Sequence, residues 1–311
     1  MPRFAKEYGN EGLALPNFIG VGPPRTGTTW LDQILRGHVN LPAGIKETLF
    51  FDVRYPRGVE WYSYHFRNRR PAVPTGEFGP SYFSSPAARE RIARHVPDCK
   101  IICTLREPVA RHYSNYKMWR KMALVKDSFA RIADRHKDLL AYARYTENIA
   151  EWQRIFGRDN VLVLILEDAR RGPQRYIDTI CSFIGAETLN LAGVAHVGEA
   201  VNGVDRAPKY RRMARRARKL RGFLGDHRYW RTRSVMNRVF EYWMGRGAEF
   251  PPLDPALESQ LRQRFEPEIA ALEELLGRDL SFWREPLAHA SVAQTSGGQQ
   301  TGVRVGERGS A

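Results

Sequence analysis

The segment Gly22-Pro23-Pro24-Arg25-Thr26-Gly27-Thr28-Thr29 limits what this 311-residue chain can fold into more than any other. It follows the apolar run Asn17 to Gly22 (NFIGVG). It precedes a stretch in which Trp30, Leu31, Ile34 and Leu35 fall on one helical face and Gly37 supplies the stop. A short apolar run, a Gly/Pro loop and an amphipathic stretch read as strand, turn and helix. Gly22 and Gly27 have the spacing of the loop G-x-x-x-x-G-K-[ST]. A turn of that shape aims free backbone N–H groups at one point, and the helix dipole adds partial positive charge there. An anion of phosphate geometry is its expected ligand.

One position departs from that pattern. Thr28 stands where the lysine would be, and the cation of the loop is Arg25. The lysine of such loops reaches the β- and γ-phosphates, so ATP chemistry loses its main cation here. A ligand with a single substituted 5′-phosphate carries less charge. One cation, several amides and the hydroxyls of Thr26, Thr28 and Thr29 can then suffice, with no required metal. A P-loop-type nucleotide kinase or hydrolase remains the first alternative.

Further strand and helix signals alternate along the chain. Ile45 to Phe51 predicts a second short strand, Lys100 to Leu105 (KIICTL) a buried one, and Val161 to Leu166 the clearest of all. Helices are predicted from Ser85-Pro86 to about Val96, from Pro108 to about Met122, over Tyr145 to Phe156, and over Pro173 to Ile184 with Gly185 as the stop. The alternation predicts an α/β fold: a P-loop-like parallel sheet flanked by helices on both faces. The C-terminal third reads as mostly helical, ending in a long helix from Asp254-Pro255 with Leu257, Leu261, Phe265, Ile269, Leu272 and Leu276 as its stripe. The expected organisation is an irregular segment 1–16, one domain 17–285, and a Gly/Ser/Gln-rich tail 286–311 that cannot bury a core.

A second segment follows the KIICTL strand: Leu105-Arg106-Glu107-Pro108-Val109-Ala110-Arg111-His112-Tyr113-Ser114-Asn115-Tyr116. Arg106 lies at a strand end and Ser114 two turns into the next helix, so both can converge at the carboxyl edge of the sheet. Together the two segments are similar to the sulfotransferase superfamily. Its 5′-phosphosulfate loop runs roughly P-[KR]-[ST]-G-T-T-x, and its 3′-phosphate segment runs R-[DE]-P-x-x-R-x-x-S-x-[YF]. Ile45-Lys46-Glu47-Thr48-Leu49-Phe50-Phe51-Asp52 and Gly76-Glu77-Phe78-Gly79-Pro80-Ser81-Tyr82-Phe83 resemble segments of the heparan-sulfate-type branch and its bacterial relatives. Gly277-Arg278-Asp279-Leu280-Ser281-Phe282-Trp283 resembles the usual bacterial terminus, so the likeness runs from about 17 to 284.

The resemblance implies an enzyme that uses 3′-phosphoadenosine 5′-phosphosulfate (PAPS), leaves 3′-phosphoadenosine 5′-phosphate (PAP), and sulfates a hydroxyl of a carbohydrate, a lipid-linked sugar or a small natural product. It implies Arg25, Thr26, Gly27, Thr28 and Thr29 at the 5′ end of the donor and Arg106 with Ser114 at the 3′-phosphate. Arg25 doubles as a catalytic cation. Glu47 is the implied base, because the heparan-type branch uses the glutamate of that segment and no histidine occupies the stretch where the cytosolic branch carries its base. The alternative for Glu47 is an ion pair that positions Lys46 or Arg25. Trp30 matches an adenine-stacking position, with a core aromatic as the alternative. Lys46, Ser81 and Tyr82 are candidate substrate contacts, and Arg206 and Lys209 are candidates in a segment that relatives fold over the nucleotide. Phe78 stands where the heparan-type branch often carries a lysine, a departure from that branch's acceptor site.

The net charge of +15 favours anionic partners. Much of it comes from Lys209 to Arg221, a basic helix within 207–221 that fits an anionic surface, an acceptor or plain solvation. A basic surface- or nucleic-acid-binding protein is the second alternative, although no nucleic-acid motif supports it. A relative that binds nucleotide without catalysis is the third; the presence of Glu47, Arg25, Arg106 and Ser114 argues against it. Cys99, Cys103 and Cys181 lack metal-ligand spacing and read as reduced core thiols. No apolar run approaches the roughly 20 residues that span a bilayer. Met1 to Lys6 lacks an apolar leader core, so a cytoplasmic location is expected.

Overall fold

The computed structural model describes residues 12–133, 135–192 and 247–287, with single positions at 194, 197, 206, 207, 212 and 216. Its strands are β1 (Phe18–Gly20), β2 (Gly76–Phe78), β3 (Lys100–Leu105) and β4 (Val161–Ile165). Its helices are α1 (Thr28–Leu35), α2 (Val59–Tyr64), α3 (Pro86–His95), α4 (Pro108–Lys121), α5 (Phe129–Ile132), α6 (Lys137–Ala141), α7 (Tyr145–Phe156), α8 (Leu166–Arg171), α9 (Pro173–Ile184) and α10 (Pro255–Leu276).

The sheet is parallel throughout, in the order β2-β1-β3-β4. Phe18 is in register with both Gly76 and Lys100, and Ile101 with Val161. Side chains alternate across a strand, and the two faces separate accordingly. Ile19, Val21, Ile101, Cys103 and Leu105 pack with Ile92 of α3, Ile149 and Trp152 of α7, and Ile269 and Leu272 of α10. Phe18, Ile102 and Leu164 pack on the other face with Trp30, Leu31, Ile34 and Leu35 of α1 and Ile177 and Ile180 of α9. Burying each such aliphatic side chain contributes about 1.5–3 kcal/mol, so covering both faces is what makes near-continuous apolar strands stable. The α/β fold expected from the alternation is therefore present.

Helix starts follow local chemistry. Ser85 caps α3 by accepting from the Ala88 amide at 3.2 Å, with Pro86 at the first position. Asp254 caps α10 in the same way through the Leu257 amide. Such caps are each worth about 1 kcal/mol. α9 ends on Gly185 in the left-handed conformation.

The expected strand over Ile45 to Phe51 is absent; those residues form an irregular turn. β2 is instead Gly76–Phe78, where Thr75 also accepts from Asn17 at the start of β1. The Thr48 amide bonds the Glu77 carboxylate rather than a ladder carbonyl, and Leu49 has φ 54, which no strand tolerates. The three cysteines are buried and free. No described helix is long and apolar enough to cross a membrane. Most of 1–16, 207–221 and 286–311 lies outside the described residues; within the basic segment Arg212 and Arg216 are helical and exposed.

Candidate active site

β1 is flanked by β2 on one side and by β3 on the other, so the chain reverses its direction across the sheet between β1 and β3. Open α/β sheets bind ligands at the carboxyl ends of strands at such a switch point. The loop after β1 carries Arg25, and the residue after β3 is Arg106. Strand order thus brings together two segments about 80 residues apart in the chain.

The loop is locked by its own glycines and by β3. A Cβ on Gly22 would lie 2.1 Å from the Thr104 hydroxyl and 2.4 Å from its carbonyl oxygen, so only glycine lets the end of β1 pass β3. Gly27 has φ 91 and opens α1; a Cβ there would also meet Leu166 at 2.6 Å. The buried Thr26 hydroxyl lies 2.7 Å from the carbonyl of Pro23 and 2.7 Å from the Thr104 hydroxyl, tying the turn to itself and to the sheet. Thr28, Thr29 and Trp30 open the helix, where backbone amides have no preceding carbonyl of their own helix to bond.

Arg25 itself has φ 78, a conformation costing a non-glycine residue on the order of 1 kcal/mol or more. The turn that imposes it delivers the guanidinium to α4, where Nε donates to the Ser114 hydroxyl at 2.9 Å. Arg106 reaches back over the loop, with Nη1 3.5 Å from the Arg25 carbonyl oxygen. Arg25, Arg106 and Ser114 therefore meet at one place beside the loop. Burial, followed by the nearby Arg106 charge, pushes the Arg25 guanidinium down to about 10. Arg106 is shifted down by burial and by Arg170, against the opposing pull of Glu167 and Glu107. Two partly desolvated guanidiniums side by side repel, and an anion between them relieves both charges.

Lys46 and Glu47 pair at 2.6 Å, each side chain about one-third exposed at 29% and 34%. This is the ion pair the sequence left open for Glu47. Both act on Asp32, one helical turn beyond Thr28. Burial raises the Asp32 carboxyl, and its bond to Arg36 at 2.7 Å opposes that shift. The Lys46–Glu47 pair thus lies within electrostatic reach of the helix that the phosphate loop opens.

The other expected contacts differ in their surroundings. Tyr82 does not line the site: it is wholly buried, with its hydroxyl 3.1 Å from Glu77 Oε1. Packing wins there because the ring fills space against Phe51 in the core. Trp30 packs into the core cluster on the α1 face of the sheet. It packs edge-on against Tyr176, and its indole N–H donates to the Val197 carbonyl at 3.3 Å. Phe78 is buried against Phe18. Ser81 has a buried hydroxyl with no hydrogen-bond partner among the described residues. Arg206 pairs with Glu249 at 2.6 Å on the exposed surface, across an antiparallel bridge. Lys209 lies outside the described residues.

Three residues of this region, Thr104, Leu166 and Tyr145, have roles that the motifs did not show, and a fourth, Glu77, has a partner that its motif did not show. Thr104 anchors the loop, and Leu166 covers Gly27. Tyr145 donates from its hydroxyl to the Arg106 carbonyl at 2.8 Å and so fixes the end of β3. Glu77 is a wholly buried carboxylate bonded to Thr48, Tyr62 and Tyr82. Glu77 lies in the 76–83 segment already singled out by resemblance, but nothing in that segment showed its bond to Thr48.

With that geometry in view, comparison with known proteins decides the family: the model of the sulfotransferase domain matches residues 15–197. The chain belongs to the sulfotransferase domain family. The match takes in the phosphate loop, the Glu47 turn, Arg106 and Ser114. Among curated relatives, the membrane-associated sulfotransferase kil1 of Dictyostelium discoideum is 36% identical over 108 residues, covering 33% of this chain and 23% of that protein. Human heparan sulfate glucosamine 3-O-sulfotransferase 6 is 29% identical over 182 residues, 56% of this chain and 53% of the relative. The matches thus span about a quarter to a half of those proteins. A sulfotransferase structure from Alicyclobacillus acidocaldarius shares the fold, with a TM-score of 0.63 at 23% identity, covering 88% of this chain and 100% of that one.

Proposed function

We propose that this sulfotransferase moves a sulfuryl group from PAPS to an acceptor hydroxyl. The observation that carries the reading is the meeting of Arg25, Arg106 and Ser114 at the β1/β3 switch point. A donor with phosphates at both its 5′ and 3′ positions matches a corner with two guanidiniums better than a donor with one phosphate group. The amides that open α1, with Thr28 and Thr29, bind the 5′ end. Arg106 and Ser114 take the 3′-phosphate.

The donor supplies an activated sulfur whose bond to the phosphate oxygen breaks as the acceptor oxygen attacks. Arg25 neutralises charge on the leaving phosphate and on the sulfuryl oxygens, and its planar fork suits two oxygens at once. Glu47 takes the acceptor proton; Lys46, 2.6 Å away, holds that carboxylate in place and lies within reach of an incoming anion. Ser81, with its hydroxyl buried and unbonded, is a candidate contact for the acceptor. The acceptor is a hydroxyl-bearing carbohydrate, lipid-linked sugar or small natural product, and the charge of the basic segment 207–221 suits an anionic surface.

Calorimetric titration tests the donor. PAP should bind at least about tenfold more tightly than adenosine 5′-monophosphate, because a charge-assisted phosphate contact is worth about 1.5–3 kcal/mol. Equal affinity for the two nucleotides would remove the 3′-phosphate assignment. Labelled PAPS incubated with fractionated cell extract then identifies the acceptor by transfer of the label.

A further inference from the structure

The Glu47 turn has no regular structure of its own, yet every polar group of its central residue is bonded. The Thr48 amide lies 3.3 Å and the Thr48 hydroxyl 2.6 Å from Glu77 Oε2. That hydroxyl also accepts from the Phe50 amide at 3.1 Å, and the Thr48 carbonyl accepts from Arg54 at 3.1 Å. The Arg54 amide closes the turn on the Leu49 carbonyl at 3.0 Å. Leu49 sits at φ 54, a strained conformation that persists only when its surroundings enforce it.

Glu77 is the far end of this arrangement. It is 0% exposed, and Oε1 accepts from Tyr62 at 2.9 Å and from Tyr82 at 3.1 Å. The four groups around the carboxyl are all able to donate, and they reach both of its oxygens. Its hydrogen-bond partners are all neutral. A buried charge held by neutral donors costs stability relative to an apolar residue of similar size. Burial pushes the Glu77 carboxyl up, and the donors from Thr48 and the tyrosines oppose that shift. β2 fixes Glu77 in register with Ile19 of β1, the strand that carries the phosphate loop.

We propose that Glu77 is a positioning residue for Glu47: through the amide and hydroxyl of Thr48, it fixes the strained turn that aims the Glu47 carboxylate at the site opened by the phosphate loop. The sheet then sets both partners of the reaction from adjacent strands. β1 delivers the loop that holds the donor, and β2 delivers the carboxylate that holds the base. The inference rests on the reading of Glu47 as base.

The test compares the native enzyme with Glu77→Gln, Thr48→Val, Thr48→Ser and Glu47→Gln, all saturated with PAP for hydrogen–deuterium exchange. Labelled PAPS turnover, measured as PAP release, gives kcat and KM. In Glu77→Gln and Thr48→Val, exchange in peptides covering residues 45–54 should rise at least about tenfold while β1 and β3 stay protected. PAP affinity and the KM for PAPS should stay within about twofold, and kcat should fall by about tenfold or more. Thr48→Ser keeps the hydroxyl and should restore native behaviour to within about twofold. Should Glu77→Gln fail to fold, Thr48→Val carries the same test. Native exchange at 45–54, a native kcat, or loosening spread over the whole sheet in these variants would overturn the positioning role while an inactive Glu47→Gln leaves the base in place. A Glu47→Gln enzyme turning over at the native rate would remove the base itself, and this inference with it.

Discussion

Two corners of this chain are built by opposite means. The phosphate corner is local: strand, glycine turn and helix follow each other within residues 18–35, and the turn is closed by Thr26 on Pro23 three residues away. The Glu47 corner has no such frame, and it takes its shape from Glu77, 29 residues further along. Donor grips recur because backbone amides at a helix start bind phosphate almost regardless of side chains. A base must be aimed, and aiming a carboxylate on an irregular turn requires contacts from elsewhere in the fold.

The largest effect should come from the second corner. Glu47→Gln should lower sulfuryl transfer by about a hundredfold or more while PAP binding is unchanged, as expected for loss of a general base. Transfer of label from PAPS, with calorimetry on PAP, separates the two. A variant that loses both would mean that Glu47 serves the donor corner through its ion pair with Lys46, and the contrast between the corners would fail.

Breaking the first corner should act on affinity. Arg106→Ala should weaken PAP by roughly tenfold to a hundredfold, the worth of one charge-assisted contact. Adenosine 5′-monophosphate should be affected little, which a parallel titration reads. A smaller effect is expected of Thr26→Val. It removes the hydroxyl shared with Thr104 and Pro23, and should cost about 1–3 kcal/mol of stability in denaturant unfolding because the Thr104 hydroxyl loses a buried partner.

The smallest effect sharpens the comparison by probing the scaffold of the Arg106 corner alone. His112 on α4 is wholly buried, and burial, with the adjacent Arg111, pushes its imidazole well below its usual range. The unfolded chain binds a proton near pH 6.5 while the folded chain does not, so stability is lost as pH falls below about 6.5. His65 and His95 are shifted the same way by burial. His112→Gln should flatten this decline by at most about 1.4 kcal/mol per pH unit, measured by unfolding between pH 7 and 5. An unchanged slope would show that His112 takes up its proton in the folded state.

Much of the molecule was readable without coordinates, and the reason is visible in particular residues. KIICTL matches β3 to the residue, and Pro173 to Gly185 marks α9 with its stop, because runs of β-branched residues, Pro at a first turn and Gly at a last one are local signals. The turn at 45–51 read as a strand since Ile45, Leu49, Phe50 and Phe51 are strand formers. What overrides them is a carboxylate that lies in another strand. Tyr82 looked like a site residue from its motif, and its burial could not be read from one sequence because nothing local separates a ring facing a cleft from one facing a core. Arg206 illustrates the converse, a motif cation whose described partner, Glu249, is 43 residues away.

By itself, then, the sequence determined the parts whose chemistry is nearest-neighbour. These are the alternating strands and helices, the caps, and a glycine loop whose turn takes φ 91 at Gly27. Tertiary structure alone decided that Arg25 meets Ser114 and Arg106, and that Glu77 holds the turn beside Glu47. Strand order sets those meetings, and strand order follows from burying both faces of the sheet at once, a condition on the whole chain that no window of residues contains.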